Sequence, residues 1–237
     1  MQKSELVNLI KKYYLEGLCP AVKWTVNEKN LKIDCVTEDK SLLVSLDANL
    51  ELDNGEFGIF DTNSLMTLLG ALDEQIEVDF HYEKNTLTGL KLKDKVVDAT
   101  FMLADLSILP ESKTLKNVPE PDVKIELKKE LVDRFIKSRK SLSDSKLVAF
   151  LPTSDSVDVV INFAEHNTNR ITLNFPATVT NQFDLIAFNV DGLAKVLAAN
   201  LDFREGSVSI SEAGLMVVHF KGEDYESKYY LKKVEIS

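Results

Sequence analysis

The chain states much of its plan twice. The stretch Gly58-Ile59-Phe60-Asp61-Thr62-Asn63-Ser64-Leu65-Met66-Thr67-Leu68-Leu69 parallels Ile186-Ala187-Phe188-Asn189-Val190-Asp191-Gly192-Leu193-Ala194-Lys195-Val196-Leu197. Each runs from an apolar strand into a helix, and Phe60, Leu65 and Leu69 match Phe188, Leu193 and Leu197 at the same spacing. Each helix ends in Leu-Asp, at Leu72-Asp73 and Leu201-Asp202. Asp61 or Thr62 is placed to cap the first helix and Asp191 the second. Upstream, Ser4-Glu5-Leu6-Val7-Asn8 resembles Lys129-Glu130-Leu131-Val132-Asp133. Each of these opens a helix followed by an apolar strand, Ala21 to Val26 and Lys146 to Leu151. Both pairings are offset by nearly half the chain, as a duplicated domain requires.

Three prolines, Pro110, Pro119 and Pro121, and a run of polar residues separate the copies. Such a segment is extended rather than helical. The expected organisation is a domain over 1–109, a connector over 110–121 and a second domain over 122–237. Elsewhere the period is two. Ile76, Val78, Phe80 and Tyr82 alternate with Glu77, Asp79 and His81, and a turn at Glu83-Lys84-Asn85 leads to Leu87, Leu90 and Leu92. Val208 and Ile210 precede a turn at Glu212-Ala213-Gly214; Met216, Val218 and Phe220 follow, then Gly222-Glu223-Asp224 and a last strand through Tyr229, Leu231 and Val234. Short turns between successive strands imply antiparallel pairing, so the fold class is α+β, each half running helix, strands, helix, strands.

The 237 residues carry a net charge of −10, which argues against a surface that grips nucleic acid everywhere. The positive charge is concentrated. Between Lys124 and Lys140 seven basic residues (Lys124, Lys128, Lys129, Arg134, Lys137, Arg139, Lys140) face three acids, Glu126, Glu130 and Asp133. A helix from Leu127 to Ser141 places Leu131, Val132, Phe135 and Leu142 on one face and Arg134, Lys137 and Lys140 opposite. The first helix repeats the plan, with Leu6, Leu9, Ile10 and Tyr13 inward and Asn8, Lys11 and Lys12 roughly opposite. A solvated face explains one such helix. Two equivalent basic helices in an acidic chain point to a surface that attracts phosphates without reading sequence.

Other chemistries find little support. Cys19 and Cys35 are too few for a disulfide framework and lack zinc-site companions, so free thiols in a reducing cytosol are expected. His81, His166 and His219 show no metal-ligand spacing, and the nine glycines form no phosphate loop. No nucleophile–base pattern stands out, and Glu51, Asp53 and Glu56 lie in a polar turn. No catalytic residue, metal or cofactor is therefore expected. Nor is a membrane segment, since no apolar run is long enough.

Phe60 to Leu72, Lys124 to Leu151 and Phe188 to Val234 together resemble the DNA polymerase sliding clamps, those of the T-even bacteriophages most closely; Glu126-Leu127-Lys128-Lys129-Glu130-Leu131 and Lys137-Ser138-Arg139 are especially similar. The likeness covers essentially the whole chain through diffuse patterns rather than a fixed signature. It implies a DNA-clamp fold of two duplicated domains, each with two helices on antiparallel sheet, the helices lining a hole. It also implies a non-enzymatic processivity factor, closed head to tail as a homotrimer around double-stranded DNA. The edge strands at Val96–Phe101 and Ile171–Phe175 are the expected subunit contacts. The implied partners are the replicative DNA polymerase, a clamp-loader ATPase and late-transcription factors, in the cytoplasm of an infected bacterium. The DNA-facing residues would be Lys11, Lys12, Lys128, Lys129, Arg134, Lys137, Arg139, Lys140 and Lys195, with Arg204 a further candidate. Partner peptides would dock at Leu103, Leu106 and Leu109 with Tyr229 and Leu231, although core positions explain those residues equally well. The helix from Asp61 to Leu72 departs from a uniformly basic lining, having no lysine or arginine. Two rival readings remain open at this point: a monomeric clamp-fold processivity factor, and a duplicated α+β protein that binds or hydrolyses a small molecule.

Overall fold

The computed structural model describes residues 1–84, 86–111, 115, 117–164 and 168–236. His166 and part of the expected connector (Ser112, Lys113, Thr114 and Lys116) lie outside these residues. The chain divides into two compact units, one of residues 1–38 with 44–114 and one of residues 39–43 with 115–237.

In the first unit, helix α1 (Lys3–Tyr14) is followed by a short 3-10 turn, Leu15–Gly17. Next come β1 (Val22–Asn27), β2 (Asn30–Val36), β3 (Leu42–Asn49) and β4 (Gly55–Ile59), in the spatial order β3-β2-β1-β4. Helix α2 (Thr62–Gly70) leads to a separate antiparallel meander of β5 (Glu77–Glu83), β6 (Thr86–Lys93) and β7 (Asp98–Met102). The alternation read from Ile76 onward is visible in β5 and in its pairing with β6, Val78 opposite Leu92 and Phe80 opposite Leu90.

The second unit repeats the order. Strand β8 (Val123–Glu126) precedes α3 (Lys129–Ser141), then β9 (Leu147–Pro152), β10 (Ser156–Ile161), β11 (Ile171–Pro176), the short β12 (Thr178–Val179) and β13 (Ile186–Asn189). After α4 (Val190–Ala199) comes the meander β14 (Glu205–Ser211), β15 (Leu215–Lys221) and β16 (Tyr225–Lys232). One sheet runs β11-β10-β9-β13; in the other, β12, β8, β14, β15 and β16 are successive neighbours. The order β3-β2-β1-β4 is thus reproduced as β11-β10-β9-β13, and β5-β6-β7 as β14-β15-β16. The fold is α+β, with antiparallel sheets and two helices in each of two equivalent units.

Burial explains the elements. In α1, Leu6, Leu9, Ile10 and Tyr13 all lie inside. Edge-to-face and tilted rings carry this helix into the unit's core: Tyr13 to Trp24 at 6.2 Å, Trp24 to Phe57 at 5.6 Å, Phe57 to Phe80 at 5.2 Å. Such a chain links α1, β1, β4 and β5, so both sheets of the unit share one interior. The second unit has Phe150 on Phe188 at 5.8 Å and, separately, Phe203 on Phe220 at 5.3 Å and Phe220 on Tyr229 at 6.3 Å.

Three details differ from the sequence reading. Residues 123–126 form a strand ahead of the helix with which the second half was expected to open, because Val123 and Ile125 alternate inward against Lys124 and Glu126. The cap of α4 is Asn189, whose side chain accepts from the Gly192 N–H at 2.9 Å, not Asp191. The Phe60–Phe188 match also fails in space: Phe60 is 57% exposed and Phe188 is fully buried. Helix α4 follows β13 directly, whereas Phe60 and Asp61 intervene between β4 and α2, carrying Phe60 off the sheet. Asp61 caps α2 as expected, accepting from the Ser64 hydroxyl at 2.5 Å and N–H at 3.0 Å, which holds its carboxyl below the usual range.

The end of α4 is fixed by a buried polar cluster. Asn200 donates to Val196 O and to Tyr229 Oη, both at 2.8 Å, and accepts from the Ser227 hydroxyl at 3.0 Å. Asn200, Ser227 and Tyr229 are all fully enclosed. Asn200→Ala removes the amide that bonds both hydroxyls, so urea denaturation is expected to show a loss of about 2–4 kcal/mol. A loss below about 1 kcal/mol would mean that the cluster contributes little.

Candidate nucleic-acid interface

Helix α3 sorts its residues by face. Val132 and Phe135 are buried, with Leu131, Ile136 and Leu142 partly so. Glu130, Asp133, Arg134, Lys137 and Lys140 are exposed and recur at spacings of three and four, so they form one stripe. Acids occupy its first turns and bases its last ones. That order suits the helix dipole, which favours anions at the N-terminal end and cations at the C-terminal end. Among the described residues, Arg134, Lys137 and Lys140 have no carboxylate within ion-pair distance, so their charges face solvent.

Two other cations of this segment are engaged within the unit. Arg139 reaches α4: its guanidinium meets Asp191 Oδ1 at 2.5 Å and donates to Leu142 O at 2.8 Å. Its side chain is only 14% exposed. Lys129, at the other end of α3, sits over the Phe203 ring at 5.9 Å, just beyond the end of α4. Helices α3 and α4 are therefore antiparallel neighbours, joined near both ends. Lys128 is exposed just before the helix, and Lys195 is half-buried on α4. Arg204 is exposed and paired with Glu223 at 2.6 Å.

The first unit is less basic. Lys11 is exposed on α1, but Lys12 is buried, at 3% exposure, on the shoulder of the apolar stripe beside Leu9 and Tyr13. The expectation that Lys12 faces a ligand is therefore corrected. Helix α2 bears no charged side chain at all. Of the expected docking residues, Tyr229 and Leu231 are core positions at 0% and 3% exposure, and this too is a correction. They lie on the inward side of β16, where alternation places them with Ser227. Leu103 and Leu109 are half-buried, and Leu106 is 40% exposed. The structure also reveals exposed Met102 and Ile108, which the sequence reading did not single out. An apolar residue at the edge of a sheet or in a short 3-10 turn, Leu106–Ile108 here, carries no periodic signal that would mark it as exposed.

The described residues contain no group of three or more His, Cys, Asp or Glu placed to hold a metal ion. His219 meets Glu226 at 2.8 Å; burial pulls its pKa down while the carboxylate opposes that shift. Beside it, Lys124, Glu126, Arg204, Glu205 and Lys221 line an open polar hollow of mixed sign on the face of β8, β14 and β15. No described helix is long and apolar enough to cross a membrane.

No protein-family model and no curated protein matches the chain. Solved structures do. A proliferating cellular nuclear antigen (PCNA) from Entamoeba histolytica aligns with TM-score 0.74 at 17% identity, over 99% of this chain and 97% of that one. A PCNA from A. fulgidus, in a structure with the C-terminal region of FEN-1 bound, aligns with TM-score 0.77 at 16% identity, over 100% and 98%. The fold is therefore the DNA-clamp fold, with its duplicated domains.

Removing the contact between Arg139 and Asp191 tests the joint of α3 and α4. Arg139→Ala is expected to destabilise the chain by about 1–2 kcal/mol, since one partner is largely exposed. Hydrogen exchange should quicken in the last turn of α3 and the first turn of α4, and an unchanged exchange pattern would refute the role.

Proposed function

We propose that the chain is a sliding clamp, a non-catalytic ring subunit that encircles duplex DNA and tethers a replicative polymerase. The observation that carries this reading is the solvent-facing row Arg134, Lys137 and Lys140, unpaired in an acidic chain whose fold is that of the PCNAs. Attraction from such a row depends on charge and not on base sequence, and the neighbouring Glu130 and Asp133 keep the grip weak enough to slide. Lys11, Lys128 and Lys195 extend the proposed DNA-facing set, with Lys129 and Arg139 holding α3 in place beneath it.

The proposed assembly is a homotrimer closed head to tail. Supporting it are β7 and β11, which among the described residues are edge strands, each hydrogen-bonded on one side only within its own sheet and so open to a neighbouring subunit. The proposed domain bounds are 1–109 and 122–237, joined by a connector over 110–121; the division into units at 114/115 falls inside that connector. The finer reading is a clamp of the T-even phage type, loaded by a separate ATPase and shared with late-transcription factors in the cytoplasm of an infected bacterium. The likeness of Lys124 to Leu151 supports that subtype. The A. fulgidus neighbour is bound to the C-terminal region of FEN-1. By the same logic this chain offers partners the apolar surface around Leu103, Leu106 and Leu109, together with exposed Met102 and Ile108.

Sedimentation equilibrium is expected to give the mass of three chains. A single-chain mass at high concentration would favour the monomeric alternative, although a net charge of −10 disfavours an open clamp held on by direct attraction. With a loader supplied, the protein should stay on closed circular DNA and slide off linear DNA. Replacing Arg134, Lys137 and Lys140 together by Ala should lower loading by about an order of magnitude at low salt and by less at high salt, where screening already weakens the wild-type attraction, with the thermal midpoint unchanged. Salt-resistant binding to a short linear duplex would refute the ring.

A further inference from the structure

The second unit's sheet of β11, β10, β9 and β13 is apolar on both sides. On one side Phe150 of β9 meets the Phe188 ring of β13 at 5.8 Å. On the other, Val160, Ala149 and Ala187 stand directly opposite one another across β10, β9 and β13 and form one row. All three are buried. Leu151, Phe163, Leu185 and Ile236 pack around them, each only partly buried. The short side chains of the row make a trough, and the longer ones of Leu151, Phe163 and Leu185 make its rim.

The chain's own segment beyond β16 fills this trough. Val234 makes an isolated antiparallel bridge to Ala187, its N–H donating to Ala187 O at 2.8 Å, and Ile236 packs on the row. Glu235 between them faces solvent. The first unit has the same device: the Ala104 N–H donates to Gly58 O of β4 at 2.9 Å, and Leu109 lies so near that a Cβ on Gly58 would be 2.9 Å from its side chain. Each unit thus covers the free edge of the strand before its second helix with extended chain and one aliphatic side chain. In the second unit the cover is thin. Lys233 N–H is still tied to Gly214 O at 2.9 Å; past it come the bridge and a partly exposed Ile236, whereas β13 pairs with β9 over four residues. A segment held by so little opens well below the cost of unfolding the unit. Opening it leaves an unpaired strand edge beside an apolar row, the combination that takes up an extended peptide by strand addition.

We propose that this trough is a docking site for an extended partner peptide of the pattern aliphatic–polar–aliphatic, and that Val234–Ile236 is its resident, displaceable plug. The resident shows the chemistry of the guest. It offers one backbone N–H to Ala187 O, an aliphatic side chain to the row of Val160, Ala149 and Ala187, and a polar residue between them to water. A guest competes with the plug, so its apparent affinity is the intrinsic one reduced by the fraction of chains that are open. The plug thereby sets a threshold: a partner already tethered nearby presents its segment at high local concentration and displaces it, whereas a free peptide scarcely does. This inference does not depend on the clamp reading.

The test uses the full chain and a fluorescein-labelled peptide copying Lys232–Ile236, followed by fluorescence anisotropy. Ile236→Asp weakens the plug without shortening the chain. This variant is expected to bind the peptide at least about tenfold more tightly than the wild type does, with the thermal midpoint unchanged. Adding Leu185→Asp at the rim should abolish the gain, and a peptide with aspartate in place of its isoleucine should bind neither chain. Equal binding to the wild type and the Ile236→Asp chain, no binding to the latter, or a gain that survives Leu185→Asp overturns the proposal. So does a lower thermal midpoint for Ile236→Asp without a gain in binding, which would make Ile236 an ordinary core side chain.

Discussion

Each helix has one apolar stripe, and that stripe must be buried against antiparallel sheet. The rest follows from this constraint. Once Leu6, Leu9, Ile10 and Tyr13 are committed inward on α1, and Val132 and Phe135 on α3, the remaining faces have nowhere to go but solvent. Whatever charge the sequence places there becomes surface chemistry. On α3 that charge is positive toward the C-terminal end, and the acidic remainder of the chain makes it stand out.

The two units solve the same packing problem with different side chains. The first depends on a run of aromatic rings from Tyr13 to Phe80, and the hydroxyl of Thr62 bonds back to Pro20 O at 2.8 Å. The second relies on the Asn200 cluster and on contacts of Arg139 and Lys129 with or beside α4. Duplication thus preserved strand order while the interiors diverged. As a result, the two helix pairs are electrostatically unequal: α2 is uncharged, whereas α3 carries five lysines and arginines.

Much of the architecture was legible because period and spacing survive duplication. Leu65 and Leu69 match buried Leu193 and Leu197, and the meanders were visible in alternations such as Val78, Phe80 and Val208, Ile210. Sequence reasoning faltered where one residue decides between faces. Phe60 falls off the sheet because two residues separate β4 from α2, and a repeat alignment does not register that spacing. Lys12 sits at a stripe's shoulder, where helical periodicity is ambiguous. Tyr229 and Leu231 are an apolar alternation, which marks a half-buried strand but not which face meets solvent. Pairings such as Arg139 with Asp191 join residues 52 positions apart and leave no local trace.

The buried amide of Asn200 has a consequence for how β16 is seated. Tyr229 and Ser227 point to the same side of that strand and both bond to it. A slip of β16 by one residue would turn both hydroxyls to the opposite face and leave the amide facing hydrocarbon. Asn200 therefore acts as an index pin, admitting a single alignment of the final hairpin and rejecting its near neighbours during assembly of the unit.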